Sequence, residues 1–176
     1  MTTTTTFIRY LTHRSSAPLI KDSGDLIIDK SRREHTMKIL VVTACGKRKD
    51  TSPQPAWKLY KSPRIRAVYN RRNGHDMAIL SSKYGLIKAE EIIEPYEEVL
   101  TEQRVKELIP QISMAIQKYD IIIYYRGCAG KEYFTLIMDA CENAGKPFFS
   151  VGYKNLGDIN ILPEIFQRIE RDNKKS

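Results

Sequence analysis

With 176 residues, 41% of them hydrophobic and 28% charged, the chain has the composition of one folded domain with enough length for a sizeable core. The three cysteines, Cys45, Cys128 and Cys141, lack paired spacing, which argues against a disulfide scaffold or a zinc knuckle. No apolar run approaches the ~20 residues of a membrane span, and the formal charge of +8 points to a polyanionic partner.

Residues 1–36, beginning with a run of threonines, read as a poorly ordered tail without the apolar core of a secretory signal. A single α/β catalytic domain is expected over 37–176, in a cytoplasmic protein. Ile39-Leu40-Val41-Val42 has no polar face and reads as a strand buried on both sides, the centre of a parallel sheet. It ends in Thr43-Ala44-Cys45-Gly46, which delivers Lys47, Arg48 and Lys49 into one loop ahead of Asp50. From Lys47 to Arg72 there are nine Lys or Arg against the single acid Asp50, a net +8 equal to that of the whole chain. The basic field is therefore directed rather than spread.

Pro53-Gln54-Pro55 reads as a breaker. Ser62-Pro63 is a helix start, a hydroxyl at the cap and proline at the first turn, and Asn73-Gly74 is its stop. Met77–Leu80 is a second buried strand, running into Ser81-Ser82-Lys83-Tyr84-Gly85-Leu86 and a glutamate-rich connection over 90–98. A helix capped by Thr101 is expected to reach about Tyr119, with Pro110 kinking or dividing it. Asp120–Tyr125 is the third strand. Arg126-Gly127-Cys128-Ala129-Gly130 opens a helix over 131–143 closed by Gly145, Phe148–Val151 is the fourth strand, and Leu162-Pro163 opens the last helix. Strands alternating with helix-length connections predict a three-layer α/β/α domain around a four-stranded, mainly parallel sheet.

In such a sheet the loops at the carboxyl ends of the strands make the ligand crevice, which here brings together 43–50, 81–96, 126–130 and 152–158. Cys45-Gly46-Lys47 lacks the glycine spacing of a P-loop, so ordinary ATP binding is set aside. Lys47, Arg48 and Lys49, with Tyr60, Ser62, Arg64, Arg66 and Arg126, are read as contacts to a nucleic-acid backbone. Cys45, at a strand end among lysines, is a candidate nucleophile. Ser82, Lys83, Tyr84 and Tyr96 are read as base-binding, because a hydroxyl and tyrosine rings beside a glycine suit a flat polar ring. Glu91, Glu94 and Asp50 are the candidate carboxylates, able to activate water or stabilise positive charge developing on a sugar. Pro95 makes Glu94 the favoured one. His13, His35 and His75 lie away from these loops, so no metal and no cofactor is expected.

Cys45-Gly46-Lys47-Arg48-Lys49, Leu59-Tyr60-Lys61-Ser62-Pro63, Ser82-Lys83-Tyr84-Gly85-Leu86 and Ile93-Glu94-Pro95-Tyr96 together resemble a small uncharacterised α/β domain family. The opening motif and the Tyr–Ser element are similar to the core domain of archaeosine synthase, which modifies a deazaguanine base in tRNA. The resemblance covers roughly residues 38–135, and a looser similarity links this group and the YaaA proteins to the uracil-DNA-glycosylase-like superfamily. It implies a four-stranded parallel sheet between helices with the site at the strand ends. The chain lacks the Gly-Gln-Asp-Pro-Tyr and His-Pro-Ser motifs of uracil excision, so the classical uracil chemistry is not implied. Together these readings lead to a nucleobase-directed enzyme acting on nucleic acid, with DNA favoured over RNA. Foremost is a DNA glycosylase that excises a modified base in repair or antiviral (phage) defence. The alternatives are a tRNA base-modifying enzyme and a non-enzymatic nucleic-acid-binding module. Oligomeric state is not legible.

Overall fold

Ile39–Ala44 (β1) is the strand on which the fold is built. All six residues are buried, and their side chains alternate between two separate cores, Ile39 and Val41 in one, Leu40 and Val42 in the other. A strand with no polar side is stable only with a layer on each face. A computed structural model describes residues 36–152 and 156–174. Apart from Thr36, the tail expected over 1–36 lies outside the described residues.

The remaining elements follow as β2 (Gln54–Pro55), α1 (Ala56–Leu59), α2 (Pro63–Arg71), β3 (Asp76–Ser81), β4 (Gly85–Lys88) and β5 (Ile92–Ile93). Then come α3 (Glu102–Ala115), β6 (Ile121–Tyr125), α4 (Lys131–Ala144), β7 (Phe148–Val151), a 3-10 turn (Leu156–Ile161) and α5 (Leu162–Asn173). The main sheet runs β4-β3-β1-β6-β7. Val41 is aligned with Met77 on one side and Ile123 on the other, both in parallel register. Beneath one face lie Leu59, Ile65, Val68 and Phe166 from α1, α2 and α5. Under the other lie Leu108, Ile112, Leu136 and Ile137 from α3 and α4.

The four expected strands are present and parallel to one another, and a fifth joins them. Gly85–Lys88 returns antiparallel along β3 through a three-residue turn, with Gly85 at φ +76 supplying the reversal. Two segments read as breaker and connection also pair: Gln54–Pro55 lies antiparallel to Ile92–Ile93. Pro110 neither divides nor ends α3, which runs unbroken from Glu102 to Ala115. Its ring faces solvent and so does Lys106, the residue one turn back, so water can take the carbonyl that the missing N–H leaves free.

Capping follows the sequence closely. Ser62 accepts from Ile65 N at 3.4 Å, Thr101 from Arg104 N at 3.2 Å, and Gly145 ends α4 in the left-handed region at φ +64. Thr101→Ala is expected to cost about 1 kcal/mol, read as a lower urea midpoint at unchanged slope. An unchanged midpoint would mean that the cap carries no load.

Candidate functional site

The carboxyl ends of β3 and β1 carry a buried polar cluster. Ser81 ends β3 and Ser82 opens the turn after it, and the two side chains point different ways. Ser81 Oγ is 2.7 Å from the Tyr96 hydroxyl, whereas Ser82 Oγ donates to the Glu98 carbonyl at 2.7 Å. The Tyr96 hydroxyl is also 2.7 Å from that of Tyr60, and both rings are buried. Tyr60 is placed by an antiparallel bridge to Lys49, with Asp50 N donating to the Leu59 carbonyl and Lys61 N to that of Arg48. The basic loop is thereby stitched to the segment that carries Tyr60. On the far side, Cys45 Sγ lies 3.1 Å from the hydroxyl of Tyr133, on the first turn of α4.

Burial holds these phenols protonated. It pushes Tyr96 up to about 12 and is the first cause of the upward shifts of Tyr60 and Tyr133, with neighbouring Tyr96 and Cys45 adding to them. Over this floor two cations converge. Lys49 Nζ is 4.4 Å from the Tyr96 ring centroid and 5.9 Å from that of Tyr60. Lys83 Nζ is 5.0 Å from the Tyr84 ring and 5.8 Å from Tyr96. Lys49 is half-buried and, among the described residues, has no carboxylate partner, while Lys47 and Arg48 are exposed. The acidic segment crosses the same rim: Tyr84 packs edge-on against Tyr96 at 5.3 Å, and its hydroxyl donates to the Glu94 carbonyl at 3.4 Å. Arg104 clamps the turn from α3, donating to the Ser82 and Lys83 carbonyls at 3.0 and 2.7 Å and pairing with Glu98 and Glu107.

The basic loop, the tyrosine turn and the Glu94 backbone therefore share one rim, with the Glu94 side chain exposed. Several expected residues take other roles. Glu91 belongs to the opposite end of the sheet, where it lines a hollow of ≈ 390 Å³ with Leu40, Asp76, Ala78 and Lys88. Its carbonyl is taken by Ala56 N. Tyr60 is fully buried and cannot meet a phosphate, and Ser82 and Tyr96 are buried beneath the rim, where they support whatever rests on it. Arg64 is not a surface cation either, because its Nη2 donates to the Ala44 and Cys45 carbonyls at 2.9 and 3.0 Å.

Asp50 is a poor base. The Thr51 N–H holds its carboxylate below the usual range, helped by Gln54 and Lys61, the last 3.7 Å away. Ser62 caps α2, and with Lys61, Pro63 and Arg66 it lines an outer hollow of ≈ 420 Å³, a basic surface outside the rim. Arg126 stands over Phe134 at 5.1 Å.

Sequence reasoning passed over Ser81, Tyr133 and Arg104. Ser81 was legible, because alternation along a strand puts one serine of the pair towards each side. Tyr133 had only a weak signal, a polar ring in the first turn of a helix that follows a strand end.

Among the described residues no helix is long and apolar enough to cross a membrane. Residues 39–151 match the model of a family of unknown function (DUF6884). No curated protein and no solved structure matches the chain.

Proposed function

The chain belongs to the DUF6884 family, and from that premise we propose that it is a nucleobase-directed enzyme acting on nucleic acid, a DNA glycosylase that excises a modified base. The observation that carries this reading is the convergence of Lys49 and Lys83 on the Tyr96 and Tyr84 rings, at the rim that the Glu94 backbone also crosses. The distant resemblance to the uracil-DNA-glycosylase-like superfamily supports it, since that fold also carries its site at the strand ends.

Chemistry on a base within a duplex needs the nucleotide extruded from the stack. Lys47, Arg48, Lys61 and Arg66 supply charge for the flanking phosphates. Tyr84, half-buried and braced by Tyr96, offers a face for the extruded ring. Glu94 orients a water towards the anomeric carbon. The C1′–N bond breaks with its electron pair leaving on the base, Lys49 gives the departing nitrogen a proton, and the water oxygen bonds C1′ as its proton passes to Glu94. A carboxylate there also stabilises the positive charge that grows on the sugar.

The test is to incubate purified protein with DNA containing modified or unmodified bases and score alkali-labile abasic sites. Glu94→Ala is expected to lose about 10²-fold in rate, and Asp50→Ala only the few-fold that comes from freeing Lys61. Full activity in Glu94→Ala would remove the role given to that residue. The Cys45–Tyr133 contact favours a second reading, base modification in tRNA through the Cys45 thiol. In that case RNA outcompetes DNA, and Cys45→Ala abolishes turnover.

A further inference from the structure

We propose that the outer face of α1 and α2 binds single-stranded nucleic acid, one base stacking on the Trp57 indole and a neighbouring phosphate settling between Lys61 and Arg66. This rests on the nucleic-acid partner proposed above and on none of the excision chemistry. Trp57 is the only tryptophan of the chain and is half-buried. It lies flat against Tyr69 of α2, with ring centroids 4.2 Å apart and planes 7° from parallel. Arg72 takes the other face of Tyr69, 3.8 Å from the centroid, because two groups so close to one ring need opposite sides. Arg72 is itself engaged, donating to the Tyr69 carbonyl at 2.6 Å and lying 3.5 Å from Glu90. The stack is therefore closed at its arginine end. At the indole end stands Lys58, exposed, its Nζ 5.1 Å from the centroid. Among the described residues the indole N–H meets no protein acceptor, and it is not buried.

Charge lies beside this aromatic step. Arg66 is three residues before Tyr69 on α2, so the two share a face, with Cβ atoms ~5–6 Å apart. Arg66 is exposed and lines the outer hollow of ≈ 420 Å³ with Lys61, Ser62 and Pro63, none of them acidic. Among the described residues Arg66 has no ion pair. Lys61 is 3.7 Å from Asp50, but both side chains are well exposed, and so loose a pair gives up its charge readily. An acidic peptide would use the cations and leave the indole idle. A paired duplex would do the same, because its base faces are already stacked on one another. An unpaired strand uses both, stacking a base whatever its identity and neutralising phosphates beside it. Lys58, displaced from the indole by the incoming base, is then free for a phosphate of its own.

The experiment follows the emission of Trp57, which no second indole obscures, while full-length protein is titrated with single-stranded dA and rA oligonucleotides, a blunt duplex and inorganic polyphosphate. A single strand is expected to quench the emission saturably, at lower concentration than the duplex. Polyphosphate should displace the strand without quenching. Trp57→Leu removes the stacking face but keeps an apolar side chain, and should weaken a labelled strand, read by anisotropy, about fivefold or more. Arg66→Gln, at an exposed position, should lower the salt slope by about 0.7. The strand that quenches at the lower concentration, dA or rA, identifies the sugar of the partner. Emission that stays constant at a saturating strand, or equal quenching by polyphosphate, overturns the proposal, and so does an unchanged salt slope in Arg66→Gln. Quenching without abasic sites in the assay above supports this surface and counts only against excision. Abasic sites without quenching overturn this surface and leave excision standing.

Discussion

Lys49→Met is expected to lower base release by about 10²- to 10⁴-fold, the range that positioned acid–base groups contribute, while duplex affinity changes only a few-fold. Methionine keeps an unbranched apolar stem against the Tyr96 and Tyr60 rings, so the substitution removes the charge and the proton and little else. Lys47→Met is the internal control. Lys47 is exposed, and its loss should reduce affinity for all sequences alike and lower the salt slope by about one counterion, leaving single-turnover release at saturating protein near wild type. The two lysines sit two residues apart in one loop, so a mere change in loop charge would affect both equally. Release within tenfold of wild type for Lys49→Met, or equal losses for both variants, would sink the role given to Lys49. The difference between them rests on burial: Lys49 is pinned over the rings by the bridge between its backbone and that of Tyr60.

That difference was not legible in the sequence, where Lys47, Arg48 and Lys49 read as equivalent. What separates them is a pairing with a segment eleven residues on. The parallel strands were legible because β-branched runs without a polar side leave little alternative to burial on both faces. The helix starts at Ser62 and Thr101 and the stop at Gly145 were legible because capping is local chemistry. Gly85–Lys88 was not, since a four-residue strand with two apolar side chains looks like any turn. Nor was the pairing of Gln54–Pro55 with Ile92–Ile93, whose stability comes wholly from what surrounds it. The same gap misplaced Glu91. From Glu91, beside Asp76 at one end of the sheet, to Tyr96, bonded to Ser81 at the other, there are five residues, which extended backbone can stretch to about 17 Å. Two acids three residues apart in sequence thus serve different ends of the molecule.

The buried phenols should make the fold fail in alkali. A group whose pKa is higher in the folded than in the unfolded chain contributes stability that is fully present below the unfolded value and is lost as pH rises towards the folded one. Cys141 goes first. Burial lifts its thiol from 9.0 to about 12, so loss begins near pH 9. Tyr96 follows from 10.0 to about 12, which by itself removes about 3 kcal/mol by pH 12 at ~1.4 kcal/mol per unit. Tyr60, Tyr124 and Tyr133 are shifted the same way by burial and add to it. Against a total stability of about 5–15 kcal/mol, the chain should therefore unfold between pH 10 and 12. Urea titrations at intervals from pH 7 to 11.5 should show constant stability to pH 9 and a steepening fall above pH 10. Tyr96→Phe separates the ionisation from the hydrogen bonds. It should be less stable at pH 7 by about 1–3 kcal/mol, because Ser81 and Tyr60 lose a partner, yet it should lose stability more gently above pH 10. A wild-type profile flat to pH 11.5 would mean that water already reaches these hydroxyls. The floor under Lys49 would then be open rather than dry, and the rim would lose the low-dielectric setting that makes a fixed cation effective against a departing base.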